Sequence, residues 1–320
     1  MEYTNLGRTG LKVSRFCLGT MAFGREADEA TSYRIMDRAL ELGINFFDTA
    51  NVYGEPRGVT EEIIGRWLTQ GGGRREKLVL ASKCYGSLGD GPNDRGLSAY
   101  HIRRASEISL RRLQTDHIDL YQMHHVDRAT PWEEIWQAMG QLVNQGQVLY
   151  VGSSNFAAWQ IVQAQGAASA RNLLGLVSEQ SRYSLAIRTI ELEVMPACHA
   201  LGIAILPYGP LRGGILAGGT EQATTGRRSG PGVRKLFEKH KSQIEAYEAL
   251  CREIGVPPAH VAQAWLLQRP GCVIPILGPR TVEQLEDSVK SAEVKLSDDV
   301  LVRLDAIWPG PGQAPEAYAW

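Results

Sequence analysis

Short apolar segments alternate with longer segments of helical period along most of the chain. A small hairpin is predicted over 3–13, with Arg8, Thr9 and Gly10 in its turn. After it, each apolar, β-rich run is followed by a stretch in which apolar side chains recur every three or four residues, as in an amphipathic helix. The predicted strands are 16–18, 45–48, 78–82, 118–124, 148–153, 176–178, 203–208 and 272–277. The predicted helices are 29–42, 60–68, 98–113, one from 131 onward, 157–170, 190–201, 240–254, 258–268 and 282–290.

Residues with strong positional preferences mark several helix ends. Gly43 is a natural stop for the first helix, because glycine readily adopts the left-handed conformation found at helix C-termini. Thr60 is expected to be the N-cap of the second helix, since its hydroxyl can accept from the first-turn amides. Pro131 suits the first turn of the fourth helix, where a missing N–H costs no hydrogen bond.

Eight consecutive strand-then-helix units favour an α/β fold, a (β/α)₈ TIM barrel with an N-terminal β-hairpin and extra helices. The competing fold is a doubly wound open sheet. That fold predicts a G-x-G-x-x-G turn after the first strand, and the stretch from Gly19 to Gly24 matches it poorly. Because we find no linker and no change in composition, we expect one domain over 1–320.

A long stretch after the seventh predicted strand has a different composition. Residues 209–235 are rich in Gly, Arg, Thr and Ser. Structureless loops of this length inside a compact domain are usually functional or disordered. Because the loop follows a barrel strand, it would lie at the active-site rim, and we expect a lid. A surface insertion without a role is the alternative.

Composition excludes several classes of protein. The 320 residues are 43% hydrophobic and 22% charged, with a formal net charge of −1, so no overall field attracts nucleic acid or an anionic membrane. The pairs Arg103–Arg104 and Arg111–Arg112 fall on predicted helices and are expected to be solvated faces.

Cysteine usage and the N-terminus indicate where the protein works. The five cysteines are scattered without a C-x-x-C pair, which argues against a disulfide framework and a zinc site. The first residues lack the basic and apolar regions of a signal peptide, and no apolar run approaches the ~18 residues of a membrane span. We therefore expect a cytoplasmic protein. These features do not predict an oligomeric state.

Four polar residues stand at corresponding places in the predicted barrel. Asp48 ends the second strand, Lys83 follows the third and His124 ends the fourth, while Tyr53 lies in the loop after the second. Loops at the carboxyl ends of barrel strands carry catalytic residues. Because neighbouring strands are about 4.8 Å apart, these side chains can converge on one point.

Such a cluster has a specific chemistry. A free tyrosine titrates near pH 10 and is a poor proton donor at neutral pH, but an adjacent lysine stabilises the phenolate and lowers that pKa. Asp48 would keep Lys83 charged and in place, and a histidine would orient a carbonyl oxygen. Each of these residues alone also has a non-catalytic explanation: Asp48 could cap the following loop, and Lys83 and Tyr53 could lie on the surface. Of His124 and His125, alternation lets only one face the barrel mouth.

The sequence resembles the aldo-keto reductases. Residues 48–54, Asp-Thr-Ala-Asn-Val-Tyr-Gly, resemble that family's D-T-A-x-x-Y-G signature, and Lys83 resembles its strand-three lysine. Residues 119–124 resemble its D-L-Y-x-x-H block, which selects His124. Further matches at 152–156, 207–211, 274–278 and 280–281 follow in order along the chain.

The resemblance implies an NAD(P)H-dependent reductase of aldehydes or ketones, with NADPH as the usual cofactor and NADH as the alternative. Ser154 and Asn155 would hold the carboxamide, Gln180 would sit near it, and Tyr208 would stack on the nicotinamide ring. The other implied cofactor contacts are Thr20, Met21, Asp48, Pro210, Leu211, Gly213, Gly278, Arg280, Gln284, Asp287 and Ser288. Arg280 suits a 2′-phosphate, because guanidinium pairs well with phosphate. Rim positions expected to line the substrate pocket are Phe23 and Tyr85.

Gly278 and the long loop after Tyr208 resemble the branch that includes potassium-channel β subunits and bacterial stress-type and sugar reductases. A redox-sensing regulatory subunit that binds cofactor with negligible turnover is therefore an alternative function. The channel β subunits carry asparagine at the histidine position, so His124 favours a working enzyme. The substrate classes left open are a keto-sugar or sugar nucleotide of a biosynthetic pathway, a small dicarbonyl, a pyridoxal-type aldehyde and a cyclic ketone.

Overall fold

The computed structural model describes residues 1–219 and 231–319. The chain begins with an antiparallel hairpin of β1 (Tyr3–Asn5) and β2 (Lys12–Ser14). The amide of Arg8 donates to the carbonyl of Gly202, just before a barrel strand begins. Leu6 and Val13 pack on the side chains that fill the barrel. The hairpin therefore covers the end of the barrel at which the strands start.

Eight parallel strands form the predicted (β/α)₈ TIM barrel. Each strand pairs with its neighbours in chain order, and the last, β10, pairs with β3. The segment before β10 closes the ring, because Ile274 N–H donates to Ile205 O and Ile205 N–H to Cys272 O. The strands are β3 (Cys17–Gly19), β4 (Phe46–Asp48), β5 (Val79–Cys84), β6 (Ile118–Met123), β7 (Val148–Ser154), β8 (Leu176–Arg182), β9 (Ala204–Tyr208) and β10 (Ile276–Leu277).

Helices surround the barrel, mostly where the apolar period predicts them. In chain order they are α1 (Glu29–Glu41), α2 (Val59–Leu68), α3 (Ala99–Leu113), α4 (Trp132–Asn144), α5 (Ala158–Ser169), α6 (Val194–Leu201), α7 (Pro231–Lys239), α8 (Lys241–Glu253), α9 (Pro258–Leu267), α10 (Val282–Val289), α11 (Asp298–Ile307) and α12 (Glu316–Ala319). None of the helices in the described residues is long and apolar enough to cross a membrane.

Side-chain alternation divides each strand between two cores. Phe46 packs inside the barrel, whereas Phe47 packs between the barrel and the helices. The next residue, Asp48, therefore returns to the inner face. Leu120 and Ala81 also fill the interior, which sends Gln122 and Lys83 inward as well. Polar side chains thus enter the barrel near the carboxyl ends of its strands.

An irregularity in β8 changes which of its residues face inward. Val151 pairs with Leu176 but Ser153 pairs with Glu179, so β8 carries one extra residue at this point. Such a bulge re-aims the side chains that follow it. Val177 fills the barrel interior and Gln180, three residues later, also reaches inward to Asp48. The strand, predicted to end at 178, extends through these polar residues to Arg182.

Three local predictions are wrong. The N-cap of α2 is Gly58 rather than Thr60, because the chain turns at a φ of +90° there, and the Thr60 hydroxyl donates to Phe23 O. The helix predicted over 190–201 is divided into a 3₁₀ turn and α6, in which Pro196 sits within the first turn. The helices α11 and α12 were not predicted at all.

The segment after β9 is only partly a loop. A 3₁₀ turn, Arg212–Gly214, follows β9, and α7 begins at Pro231, inside the predicted 209–235 lid. The remainder of that prediction, residues 220–230 with Arg227 and Arg228, lies outside the described residues.

Alanine substitutions at two helical glycines are expected to change the stability of the fold in opposite directions. A Cβ on Gly65 of α2 would lie 2.1 Å from the Arg112 carbonyl oxygen, whereas one on Gly166 of α5 would meet nothing within 4 Å. Gly65→Ala is expected to lower the free energy of unfolding by about 1–3 kcal/mol through overpacking. Gly166→Ala is expected to raise it by about 0.5–1 kcal/mol through helix propensity. Urea unfolding of both variants checks this, and equal shifts would contradict the close approach of α2 to α3.

Candidate active site

A buried ion pair lies at the carboxyl end of the barrel. The Lys83 ammonium on β5 is 2.5 Å from Oδ2 of Asp48 on β4, and the two side chains are 0% and 3% exposed. Lys83 lies within its strand, one residue before the strand ends, rather than after it as predicted. Two charges taken out of water in this way need their remaining hydrogen-bonding capacity satisfied.

All three donors of Lys83 have partners. Besides Asp48, the ammonium donates to the carbonyl oxygen of Thr49 at 2.9 Å and to the Tyr53 hydroxyl oxygen at 3.1 Å. An ammonium group has no acceptor, so Tyr53 must be the acceptor in that last contact. The hydroxyl hydrogen of Tyr53 is therefore left to point away from Lys83.

His124 rather than His125 lies beside Tyr53. It follows β6 by one residue, where its amide donates to Cys84 O, and its ring is 5.9 Å from the Tyr53 ring in an edge-on arrangement. His125 instead packs against Tyr85. Burial, with the positive charge of Lys83, lowers the pKa of His124 to about 3. The imidazole is therefore neutral at physiological pH.

The pKa of Tyr53 differs from the value expected from its neighbour alone. Burial raises the pKa of the hydroxyl above its usual value, and the charge of Lys83 offsets this only in part. The expectation of a net lowering is therefore corrected. Burial disfavours the charge on Lys83 most strongly, but Asp48 and Tyr53 together outweigh that cost and the pKa of Lys83 is raised. The pair thus consists of a protonated phenol beside a firmly charged ammonium.

Two buried glutamines hold the other carboxylate oxygen of Asp48. Gln122 on β6 donates to Oδ1 at 2.8 Å and Gln180 on β8 at 2.9 Å, and Gln180 also donates to Gln122 Oε1 at 3.1 Å. Gln180 was expected near a nicotinamide carboxamide, whereas Gln122 was missed. Its signal was the inward alternation of 118–124, which places Gln122 on the same face as Leu120.

A second buried acid anchors the loop that carries Tyr53. Arg112 on α3 donates to Asn51 O at 3.0 Å and lies 3.4 Å from Glu61 on α2. Burial raises the pKa of Glu61, which accepts a hydrogen bond from Ser82. Arg112 is therefore not part of a solvated face as predicted, because its guanidinium is turned toward this loop. Arg103, Arg104 and Arg111 are exposed as expected.

The expected carboxamide residues form a tight turn after β7. Asn155 has a φ of +61°, a conformation in which asparagine is more common than most side chains. Its Nδ2 donates to His124 O at 3.2 Å and to Ser154 Oγ at 2.9 Å, and Tyr208 donates to its Oδ1 at 2.9 Å. The turn therefore joins the expected cofactor residues to the histidine beside Tyr53.

Glu179, another residue that was missed, supports this turn from below. It is 0% exposed and accepts from the amide of Phe156 and from the hydroxyls of Ser153 and Ser181. Burial raises its pKa to about 7. Successive strand residues point to opposite sides, and the inserted residue in β8 makes Gln180 the inward one, so Glu179 supports the turn while Gln180 reaches Asp48.

The two expected rim residues, Tyr85 and Phe23, and the expected cofactor residues Met21 and Thr20 differ in exposure. Met21 is 43% exposed, and Tyr85 is half-buried next to the site with a φ of +104°. That φ is a strained conformation for an aromatic residue, and such strain concentrates at functional sites. Phe23 is 0% exposed in the outer core, which corrects the rim position expected for it. The hydroxyl of Thr20 is buried and donates to Asp48 O at 2.9 Å.

The remaining expected cofactor residues lie after β9 and β10. Arg280 is half-buried, with its guanidinium 3.7 Å from Glu26, and its amide donates to Gln284 Oε1. It lines a groove of about 670 Å³ whose other charged residues are Arg25, Arg34, Glu26, Asp28 and Glu283. Asp287 lies 3.2 Å from His260, and the Ser288 hydroxyl accepts from Gln263, so both have protein partners. Pro210 is buried, Leu211 is half-buried, and Gly213 and Gly278 are exposed.

This donor set fits a nicotinamide dinucleotide. Hydroxyl and amide groups of Ser154, Asn155 and Gln180 suit a carboxamide, and they lie beside the Tyr53 cluster. The groove at Arg280 is lined by three arginines and three carboxylates, so it offers guanidinium groups for a phosphate and acceptors for ribose hydroxyls. Among the described residues, no group of three His, Cys, Asp or Glu side chains is arranged to hold a metal ion.

Comparison with known proteins gives concordant matches. Residues 15–309 match the model of the aldo/keto reductase family. The chain is 55% identical to the uncharacterized oxidoreductase YrpG of Bacillus subtilis, with 100% of both chains covered. It is 32% identical to a probable voltage-gated potassium channel subunit beta of Arabidopsis thaliana, over 99% of this chain and 100% of that protein. It is 33% identical to norsolorinic acid reductase A of Aspergillus parasiticus, over 94% of this chain and 79% of that protein.

The lowered pKa of His124 can be tested directly. The imidazole is expected to stay neutral from pH 8 to pH 5, because its pKa in the fold is about 3 against about 6.5 unfolded. Its contribution to stability is present above pH 6.5 and lost as the pH falls from there toward 3. Imidazole ¹⁵N shifts, assigned by comparison with His124→Asn, check this, and a midpoint near 6.5 would contradict the buried environment.

Proposed function

Because the chain belongs to the aldo/keto reductase family, we propose that it reduces an aldehyde or ketone to an alcohol, with a nicotinamide cofactor and with Tyr53 as the proton donor. The observation that carries the proposal is the hydrogen bonding of Lys83. Its three donors are directed to Asp48, Thr49 and Tyr53. The phenol therefore accepts from the ammonium and has its own hydrogen free for a substrate oxygen.

The residues divide the work of proton transfer. A reduced nicotinamide, when bound, supplies the hydride to the carbonyl carbon, and the electrons of the C=O π bond move to oxygen. Tyr53 gives that oxygen its proton, which completes the alcohol. The phenolate left behind lies 3.1 Å from the Lys83 ammonium, whose charge stabilises it. Proton uptake from solvent restores the phenol.

His124 and Asp48 assist the reaction by holding other groups in place. The neutral imidazole beside Tyr53 can hydrogen-bond the carbonyl oxygen without adding a second positive charge to the site. Asp48 keeps Lys83 charged and fixed, since it occupies one of the three ammonium donors. Ser154 and Asn155 hold the carboxamide beside this cluster. Gln180 presents its oxygen, because both of its amide hydrogens point to Asp48 and Gln122.

NADPH is the proposed cofactor. Arg280, with Arg25 and Arg34 in the same groove, supports a site for the additional phosphate that distinguishes NADPH from NADH. The carbonyl substrate is a small molecule, and the similarity to norsolorinic acid reductase A and to versiconal hemiacetal acetate reductase makes the compounds in those names the first to test. The likeness to channel β subunits keeps a cofactor-binding regulatory subunit as the alternative.

Tyr53→Phe is expected to lower kcat by about 100-fold to 10,000-fold, because a positioned general acid contributes that much to proton transfer. Cofactor affinity, measured by quenching of protein fluorescence, should stay within about two-fold, since the lost hydroxyl faces the substrate. Turnover is followed as NADPH absorbance with a panel of aromatic, dicarbonyl, sugar and cyclic carbonyls.

Tyr100→Phe is the matched control, because Tyr100 is 63% exposed on α3 and should retain full activity. Wild-type activity in Tyr53→Phe would contradict Tyr53 as the donor. A wild-type chain that binds NADPH but oxidises it with none of the carbonyls would instead favour the regulatory subunit.

Arg280→Met is expected to weaken NADPH binding by about 10-fold to 100-fold, the usual effect of losing a hydrogen bond to a charged group. NADH binding should change by less than about two-fold, because NADH lacks the 2′-phosphate. Arg303→Met, which removes a surface ion pair with Glu253, is the matched control and should affect neither cofactor. Equal losses for NADPH and NADH would contradict the phosphate contact of Arg280.

A further inference from the structure

Two glutamines connect the proton donor to the residues proposed to hold the nicotinamide. Gln122 is 0% exposed and Gln180 3% exposed, and both reach Asp48 Oδ1 inside the barrel. The other oxygen of the same carboxylate binds Lys83, which binds Tyr53. A continuous series of hydrogen bonds thus runs from Gln180 through Asp48 to Tyr53.

The chemistry of the acceptor fixes the orientation of both amides. An ionised carboxylate only accepts hydrogen bonds, so each glutamine must turn its nitrogen toward Asp48. Gln180 directs its second N–H to the oxygen of Gln122 at 3.1 Å. Both hydrogens of Gln180 are then used, and its oxygen is the group left to meet a carboxamide. Without Gln122, that second hydrogen loses its partner, and only the hydrogen bond to Asp48 still holds the Gln180 amide in place.

The strands leave space for Gln122 in particular. It pairs with Lys83 on one side and with Gly152 on the other. A Cβ on Gly152 would lie 3.1 Å from Gln122 Cγ and 2.4 Å from Ser178 Oγ. The glycine therefore allows a long polar side chain to lie across the barrel interior and to reach Asp48. The inserted residue in β8 brings Gln180 to the same point.

We propose that Gln122 is a positioning residue that couples nicotinamide binding by Gln180 to proton donation by Tyr53 through Asp48 and Lys83. The inference rests on the proposed function. It goes further, because it assigns a role to a residue that touches neither substrate nor cofactor.

The hydrogen bonds predict in which direction the loss of Gln122 changes the pKa of Tyr53. Removing one donor from Asp48 leaves its negative charge less compensated, and the charge of Asp48 raises the pKa of Tyr53. Tyr53 should therefore become a weaker acid and its phenolate harder to form. Gln180, freed from Gln122, should hold the carboxamide less well. The substrate pocket is untouched, so KM for the carbonyl should stay within about two-fold.

Gln122→Met keeps the length of the side chain and removes its hydrogen bonds. We expect kcat to fall by about 10-fold to 100-fold, the usual effect of losing a hydrogen bond to a buried charge. In alcohol oxidation, which needs the Tyr53 phenolate, the inflection of the pH profile should move up by about 1 pH unit, matching a ten-fold effect. Cofactor affinity, from fluorescence quenching, should weaken.

Two further variants separate coupling from simple damage. Leu120→Met changes the same inner face of β6 without altering a hydrogen bond and should keep the wild-type pH profile. Gln180→Met should shift the inflection in the same direction as Gln122→Met. The double variant should shift it little beyond Gln122→Met, because Gln180 without its hydrogen bond to Gln122 already donates less firmly to Asp48.

The possible outcomes are distinct. A Gln122→Met protein with the wild-type pH inflection, or with effects that add fully to those of Gln180→Met, overturns the coupling. Should Gln122→Met not fold by circular dichroism, an unshifted inflection in Gln180→Met overturns it alone. A wild-type chain without turnover defeats the proposed function instead. If the wild type has no turnover, cofactor affinity is the remaining measurement, and equal affinities of wild type and Gln122→Met would overturn the coupling as well.

Discussion

The rest of the site depends on the buried ion pair between Asp48 and Lys83. A charge pair removed from water is stable only when each partner has its hydrogen bonds satisfied. Lys83 meets this condition with Asp48, Thr49 and Tyr53, and Asp48 meets it with Lys83 and the amides of two glutamines. These partners come from four barrel strands and one loop. The neighbouring strands β4 and β5 bring the pair together, the curvature of the barrel brings Gln180 to it, and the hydrogen bond from Lys83 fixes the position of Tyr53.

The same constraint explains what the sequence could predict. Strands with regular alternation and apolar neighbours, such as Phe46–Asp48, were placed correctly, and with them the position of Asp48 at the end of its strand. The order of strands then brought Lys83 and His124 to the same end of the barrel. What failed was β8, because its buried residues from Ser178 to Ser181 are polar and an extra residue breaks the period of two. A run of polar residues in a sequence predicts a loop, and only the hydrogen-bond partners on other strands show that it lies inside a barrel.

Other errors have similarly local causes. The apolar run over 272–277 gives only a two-residue strand, Ile276–Leu277, since Pro275 has no N–H for a ladder. The helix α11 had recognisable signals in the Ser297 cap and the acidic first turn. The upward shift of the Tyr53 pKa was not predictable from neighbours alone, because burial depends on the whole fold and here exceeds the effect of Lys83.

That balance also bears on how the site would work. A phenol with a raised pKa holds its proton reliably at neutral pH, but it is a weak acid unless its conjugate base is stabilised. The stabilising charge is Lys83, and its position is set by Asp48 rather than by Tyr53. Whatever holds Asp48 therefore influences proton transfer, even from the far side of the barrel. Gln122 and Gln180 occupy that place, with β8 bulged and position 152 kept as glycine so that both fit. The polar interior of this barrel is thus organised around one carboxylate whose two oxygens face the two halves of the proposed reaction, the acid on one side and the cofactor on the other.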